Sequence, residues 1–511
     1  MVQFKVIGKL WYVTGALAIA LNLAMWRNFT VDDSFIAWRM GKNLATNFQY
    51  SYNVDQKHIE AGTSLIYGIA SSLPTVLQVD VLLFFKLLSI LVILGFILLS
   101  KNLIATPQKF TFLVLSLGGP LQALHIWSGL ETGMVILISL LIFLGSLRLL
   151  FVEEMSFRLL LVAGLLLRPE IIVTAIVAIF VRHKLFGDET QRKVSTSLIK
   201  TLVTVGITFF LLALGRLLYF GLPLPNTFFT KTLDSSGSPL QVLENTLNNI
   251  NSFIPFILAS TISVLAVDRK YLRAISLLLG GQLLIAVPLI TSNLSMNYGA
   301  RFPYQTFWPI VLVASYVGFQ KFSIRFLIPS TLVLTSLVTS TEISGLITDY
   351  PRMYAAHGAL GSTLGSVEKI GKVRPTLVIG DAGIAAYNSN WTVMDFLFLG
   401  SSAKEGLGPI VSKIASSQKT AVVLYSRGAP SATPGGDQPP ELLETIERSN
   451  YLKPIPFCWT PSVCLQVYLS SDFQDDKNLL RRLKLGSQKS IEMVNSENQI
   501  RNAIINNYWR G

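Results

Sequence analysis

The sequence predicts a polytopic α-helical membrane protein of about eleven transmembrane helices, followed by a C-terminal α/β domain outside the cytoplasm. Three observations carry that expectation. Apolar residues make up 51% of the 511 and charged residues only 14%, a balance far from that of soluble domains. Apolar runs approaching the ~20 residues that a spanning helix needs recur from residue 6 to residue 340 and then stop. Lys and Arg gather in short segments on alternate loops, as expected where those segments stay in the cytoplasm.

The expected spans are residues 6–25, 81–100, 110–126, 133–147, 159–167, 171–181, 202–220, 253–267, 274–290, 302–319 and 326–339. The first follows Lys5, and its length and successors favour a retained helix over a cleaved signal. Residues 65–79 are short and contain Pro74, so they read as an interfacial or re-entrant segment. With Lys5 and Lys9 inside, Arg148 and Arg158, then Arg182, Lys184, Arg192, Lys193 and Lys200, then Arg269, Lys270 and Arg273, then Lys321 and Arg325 all fall on one side. The opposite side carries few basic residues but Asp32, Asp33, Asp55, Glu60, Glu131 and Glu170. Two domains follow: a transmembrane module of residues 1–340 with a first outer loop at 27–80, and an outside α/β domain at 341–511. A plasma (inner) membrane location with the C-terminal domain outside is the topology this implies.

Within residues 341–511, β-like runs stand at 376–380, 420–425 and 464–470 between helical patterns, and 428–440 is a Pro- and Gly-rich loop. The basic cluster from Lys477 to Lys489 reads as a solvated helix. The net charge of +13 does not point to nucleic acid, because no basic stripe lies on a soluble face. Cys458 and Cys464 are the only cysteines. In an oxidising compartment they form either a disulfide or two free thiols.

The strongest local feature is residues 28–44, where adjacent carboxylates Asp32 and Asp33 lie just beyond the first span. Helix capping from Thr30 and Asp33 accounts for them in one reading, with Phe35, Ile36, Trp38, Met40 and Leu44 against the membrane surface and Arg39 and Lys42 facing polar groups. In the other, one carboxylate is a general base for an acceptor hydroxyl. Ionisable groups also cluster at outer ends of spans, at 128–132, 168–170, 224–231 and 298–302, and such groups at membrane depth mark functional sites. Arg168 and Glu170 suit a local ion pair. Arg301, among aromatic and apolar residues, suits a phosphate, with Lys231 as a second cation. His58 and His125 lack partners at metal-ligand spacing, whereas Asp32 and Asp33 could share a divalent cation with a substrate phosphate. No phosphate-binding Gly-rich loop, dinucleotide fingerprint or nucleophile elbow occurs.

Taken in order, Asp32, Asp33, Phe35, Arg39, Asn43 and Leu44, then 128–132, then Arg168, Pro169 and Glu170, then 224–227 with Lys231, then Arg301 and Phe302, resemble the pattern of the GT-C superfamily of polyprenyl-phosphate-sugar-dependent glycosyltransferases. The nearest branch is similar to the terminal arabinofuranosyltransferases of mycobacterial-type cell walls. In the outer domain, Asp381, Gly383, Tyr387 and Asp395 fit its D-x-G, Tyr, Asp pattern. The chain departs from it at Ala61 and Gly62, at Ile171 and at Pro303. The resemblance implies an inverting transfer on the outer face from a polyprenyl-phosphate sugar, of which arabinofuranose is one, to a cell-envelope glycan, within a lipid bilayer and without nucleic acid. It implies Asp33 as base, Asp32 as orienting partner or metal ligand, Arg301 and Lys231 on the donor phosphate, and Glu60, Glu131, Arg168, Glu170 and Asn226 as substrate contacts. Asp381 and Asp395 are turn and scaffold residues or acceptor contacts. The competing class is a transporter or flippase of lipid-linked sugars, which places its polar groups near the bilayer midplane between related halves.

Overall fold

The computed structural model describes residues 2–509 apart from 55, 104–105, 151–152, 186–190, 234–238, 293, 295–296, 319–339, 367–373, 402–404, 428–437 and 461; residues 2–11, 106, 191–195, 231–233, 239–242, 340–345, 347–351, 493 and 496–509 are described by backbone alone. The span expected at 326–339, the loop at 428–437, and the side chain of Lys231 therefore lie outside the described set. The chain forms two compact units. The first comprises Met1–Phe29, Thr63–Tyr67 and Gln78–Ser344, and the second Thr30–Gly62, Gly68–Leu77 and Gly345–Gly511.

The first unit is helical. Among the described residues, four helices are long and apolar enough to cross a bilayer: Val81–Lys101, Thr196–Phe220, Leu243–Leu265 and Arg269–Ile290. Pro107–Leu117 and Pro120–Trp127, bent by 59°, make a fifth if counted as one broken span. Their outward leucines are bare, with Leu91 60% and Leu218 78% exposed, and apolar surface of that extent is stable only against lipid. The chain is thus an integral membrane protein.

The count of about eleven spans is corrected to four or five among the described residues. Several expected spans are shorter helices: Thr132–Ser146, Glu154–Leu167, Ile171–Phe180 and Arg301–Val317, of 15, 14, 10 and 17 residues. At 1.5 Å per residue these fall short of the ~30 Å hydrocarbon thickness. Their hydropathy has another origin. Arg301–Val317 is buried from Arg301 to Tyr316, and Thr132–Ser146 is buried over most of its length; a helix apolar all round is also what the core of a large bundle requires. Breakers cut the runs as well: Gly118, Gly119 and Pro120 at the 59° bend, and Arg168 and Pro169 between two helices. Residues 65–79 form two short helices, Leu65–Ala70 and Leu73–Leu77, as their length and Pro74 suggest.

The second unit is built on a mixed five-stranded sheet. Its strands are β1 (Thr376–Ile379), β2 (Thr392–Asp395), β3 (Thr420–Arg427), β4 (Ile455–Thr460) and β5 (Val463–Leu469), in the order β2-β1-β3-β5-β4. β1 pairs in parallel with β2 and β3, while β5 runs antiparallel to both β3 and β4. β1 is buried at every position, as expected of a central parallel strand covered on both faces. Pro456 sits in β4, an edge strand where a missing N–H is tolerated. Cys458 and Cys464 are opposed across the β4–β5 hairpin and bonded, which decides between disulfide and free thiols.

The expected strands at 376–380, 420–425 and 464–470 are present; β2 has only four residues and β4 carries Pro456, and neither is among the expected strands. The helix Ser34–Asn47 also belongs to the second unit. Its buried face corrects the membrane-surface reading: Phe35 packs on Tyr354 and Tyr387 at ring distances of 5.8 and 5.5 Å, and Trp38 and Met40 are fully buried. Arg39 is buried in the same packing and donates to the carbonyls of Tyr52 (2.8 Å), Trp391 (2.6 Å) and Ala386.

Candidate functional site

In the first unit, helix ends bring four of the sequence-nominated residues together. Glu131 immediately precedes the helix Thr132–Ser146 and Glu170 the helix Ile171–Phe180, positions where a carboxylate is favoured by the helix dipole. Arg168 occupies the extended link after Glu154–Leu167. Its guanidinium lies 2.9 Å from Glu131 Oε1 and 3.2 Å from Glu170 Oε1, and 3.4 Å from Gln305 Oε1. Arg301 opens its helix behind a turn in which Gly299 and Ala300 have φ of 55° and 50°. A cation at a helix N-terminus opposes the dipole, and Glu131, 3.6 Å away, offsets that.

Glu131, Arg168 and Arg301 are all buried, so their mutual compensation matters more than it would at a surface. Arg301, which the sequence sets among aromatic and apolar residues, is paired with Glu131. The Arg168–Glu170 ion pair is present, but as one edge of this larger group. Two arginines and two glutamates make a charge-balanced group, and its guanidinium N–H groups are of the kind that also serve a phosphate by charge-assisted hydrogen bonds.

Beside it is a cavity of about 290 Å³. Arg168, Glu170 and Thr227 contribute polar groups to its wall, and the rest is mainly apolar, with Ile172, Phe209 and Leu284 prominent. Thr227 stands in the helix Asn226–Leu233 and its hydroxyl is 3.2 Å from that of Thr63. Asn226, on the same helix, is buried. Lys231 lies on it too, with its side chain outside the described set. An apolar chamber with a charged group on one wall suits an amphiphile with an anionic head.

The second unit holds Asp32, Asp33 and Glu60. Asp32 is 7% exposed, and its Oδ1 accepts a 2.8 Å hydrogen bond from Ile384 N. The approach depends on Gly383: a Cβ there would sit 2.1 Å from Asp32 Oδ2 and 2.2 Å from its carbonyl oxygen. We expect Gly383→Ala to destabilise the second unit by about 1–3 kcal/mol, as overpacking does, read as lost amide-exchange protection in β1 and β2. Wild-type protection would contradict the packing. Asp33 is the residue before the helix Ser34–Asn47, where the helix dipole favours a carboxylate, but its side chain makes no capping hydrogen bond. Glu60 is 2% exposed within this unit.

Burial pushes the Asp32 carboxyl up to about 7, helped by the charge of Asp381 and opposed by His357 and the Ile384 amide. His357 was not singled out by the sequence. It is fully buried in the helix Ser340–Gly365, with Nδ1 2.8 Å from Met353 O and Nε2 3.1 Å from Asp381 Oδ2. Burial pulls His357 down, but its hydrogen bond to Asp381 and the charges of Asp381 and Asp32 outweigh that, and the net shift is upward. A lone histidine in a helical pattern offers no sequence signal for such a role; the D-x-G motif is the one trace of its partner. Asp395 is a scaffold group, accepting from Leu397 N and Gly400 N at 2.8 Å each, and burial raises it to about 7.

These raised acids fix the sign of a pH effect. A carboxyl that is harder to ionise in the folded state contributes stability that is present below its unfolded value near 4 and is lost as pH rises through about 7. Amide-exchange protection of residues 376–395, corrected for intrinsic rates, should fall between about pH 4 and pH 7 and level off above that. Asp32→Asn should flatten part of that fall; an unchanged slope would remove Asp32 from the account.

Among the described residues no group of three or more His, Cys, Asp or Glu is placed to hold a metal ion. Asp32 gives one oxygen to Ile384, and Asp381 one to His357.

Fold and side-chain clusters together define a polytopic membrane protein with a disulfide-bearing mixed-sheet domain. Comparison with protein-family models and with curated proteins returned no match.

Proposed function

We propose that the protein is a membrane glycosyltransferase that moves a sugar, with arabinofuranose the one the motif pattern favours, from a polyprenyl-phosphate donor to a cell-envelope glycan. The observation that carries this reading is the first unit's largely apolar cavity with Arg168 and Glu170 in its wall, joined through Glu131 to Arg301. The polyprenyl tail fits the apolar walls, and the arginines stabilise charge developing on the departing phosphate. In the transfer, the acceptor oxygen attacks the anomeric carbon with inversion. Its proton passes to a carboxylate, and the bond from that carbon to the phosphate oxygen breaks with its electron pair on the phosphate. With such a leaving group no general acid is needed. The base role falls to Asp33, whose side chain is not engaged in capping its helix, and Asp32 is a positioning residue. The second unit faces the oxidising side of the membrane, a placement supported by the Cys458–Cys464 disulfide.

Photo-crosslinking tests the donor site. A polyprenyl-phosphate sugar carrying a diazirine on its first isoprene units should label Ile172, Phe209 or Leu284, and unlabelled donor should compete. Labelling confined to lipid-facing residues such as Leu91 or Leu218, or labelling without competition, would reject the cavity as the donor site.

A further inference from the structure

The second unit has its own pocket of about 240 Å³, apart from the Asp32 cluster in its lining and chemistry. Arg39, Lys42 and Arg374 line it, with Tyr387, Asn53 and Asn390, and no carboxylate is among the described lining residues. Arg39 is the informative member. It is 6% exposed, yet its hydrogen-bond partners among the described residues are neutral: the carbonyls of Tyr52, Ala386 and Trp391 and the amide oxygen of Asn53 at 3.3 Å. A buried guanidinium bonded to neutral acceptors satisfies its donors while its charge goes uncompensated, an arrangement that is costly without a counter-charge nearby.

The pocket's other cations add to that charge. Lys42 Nζ is 2.7 Å from Asn390 Oδ1 and 4.8 Å from the centre of the Tyr387 ring, so it is held at the site. Asn390 ends the helix Ile384–Ser389 in a left-handed conformation, φ 56°, a helix-terminating position that asparagine often fills, and this fixes the amide that holds Lys42. Arg374 is exposed and completes a group of three cations. The volume lies below the range of about 300–1,000 Å³ for drug-sized ligands and suits one small charged ring or head group.

We propose that this pocket binds an anionic group, a phosphate or a carboxylate, carried on a small polar ligand such as an acidic sugar. The ligand's charge compensates Arg39 through space, Lys42 and Arg374 make the direct ionic contacts, and the Tyr387 ring offers a flat apolar edge. This goes beyond the transfer reaction and does not depend on it.

The test is calorimetric titration of the full-length protein in neutral detergent at low ionic strength, with inorganic phosphate, glucuronate and glucose as separate probes. Phosphate or glucuronate should bind saturably and glucose should not; which anion binds tighter distinguishes the two sources of charge. Lys42→Gln and Arg374→Gln should each weaken binding about tenfold or more, with the thermal unfolding midpoint unchanged and Arg374→Lys restoring most of the affinity. Absence of saturable binding of either anion by the wild type, glucose binding equal to glucuronate, or wild-type affinity in the Lys42→Gln, Arg374→Gln double variant would each overturn the proposal.

Discussion

Replacing Asp33 by asparagine is expected to lower sugar transfer by about 10²–10⁴-fold, the usual contribution of a positioned proton acceptor, with donor affinity unchanged. Asparagine is as good as aspartate before a helix, and the Asp33 side chain makes no capping hydrogen bond. The helix Ser34–Asn47 is held instead by buried Phe35, Trp38 and Met40 and by the Arg39 hydrogen bonds. A fall in rate without a fall in stability therefore reports chemistry. Transfer within a few-fold of wild type would remove Asp33 as base and shift attention to Asp32.

Glu131→Ala should produce the largest loss of stability, about 3–5 kcal/mol, as expected when one member of a buried ionic group is removed and the others remain. Arg168 would keep Glu170 at 3.2 Å and Gln305 at 3.4 Å. Arg301, however, would lose the carboxylate at 3.6 Å while staying buried at the start of its helix. Thermal unfolding in detergent measures this, and Glu131→Gln, which retains a hydrogen-bond acceptor but no charge, should fall between alanine and wild type. If alanine and glutamine were both as stable as wild type, the cluster would not be electrostatically coupled.

The class of the protein was legible because apolar runs and bare lipid-facing leucines have the same cause. The number of spans was not, because hydropathy cannot tell a lipid-facing helix from one in the centre of a bundle. Arg301–Val317 reads as a span, yet its side chains are buried within the first unit. The same ambiguity misdirected the helix Ser34–Asn47, whose apolar periodicity announces a buried face without saying what buries it. Strands β1, β3 and β5 were visible as β-branched runs; β2 alternates buried and half-buried positions over four residues, and β4 contains Pro456, so neither stood out.

Residue types at helix ends were the more dependable guide to the candidate sites. Glu131, the Arg168–Glu170 pair and Arg301 stand at three separate places in the sequence, and they assemble into one ionic group. The local Arg168–Glu170 pair was legible; pairing between distant elements was not. Arg301 shows no carboxylate near it in the sequence because Glu131 is 170 positions away in the chain, and His357 carried no signal because its partner Asp381 lies on a different element. The spacing of Asp381 and Gly383 was informative, since the glycine makes room for Asp32.

The central claim, sugar transfer from a lipid phosphate, is tested most directly by following free polyprenyl phosphate after mixing purified protein with polyprenyl-phosphate arabinofuranose and a cell-envelope glycan acceptor. The account predicts acceptor-dependent release of the lipid phosphate, with the glycan gaining one sugar of inverted anomeric configuration for each lipid released. Intact donor accompanied by its movement across reconstituted vesicles would contradict it and identify a transporter of lipid-linked sugars instead.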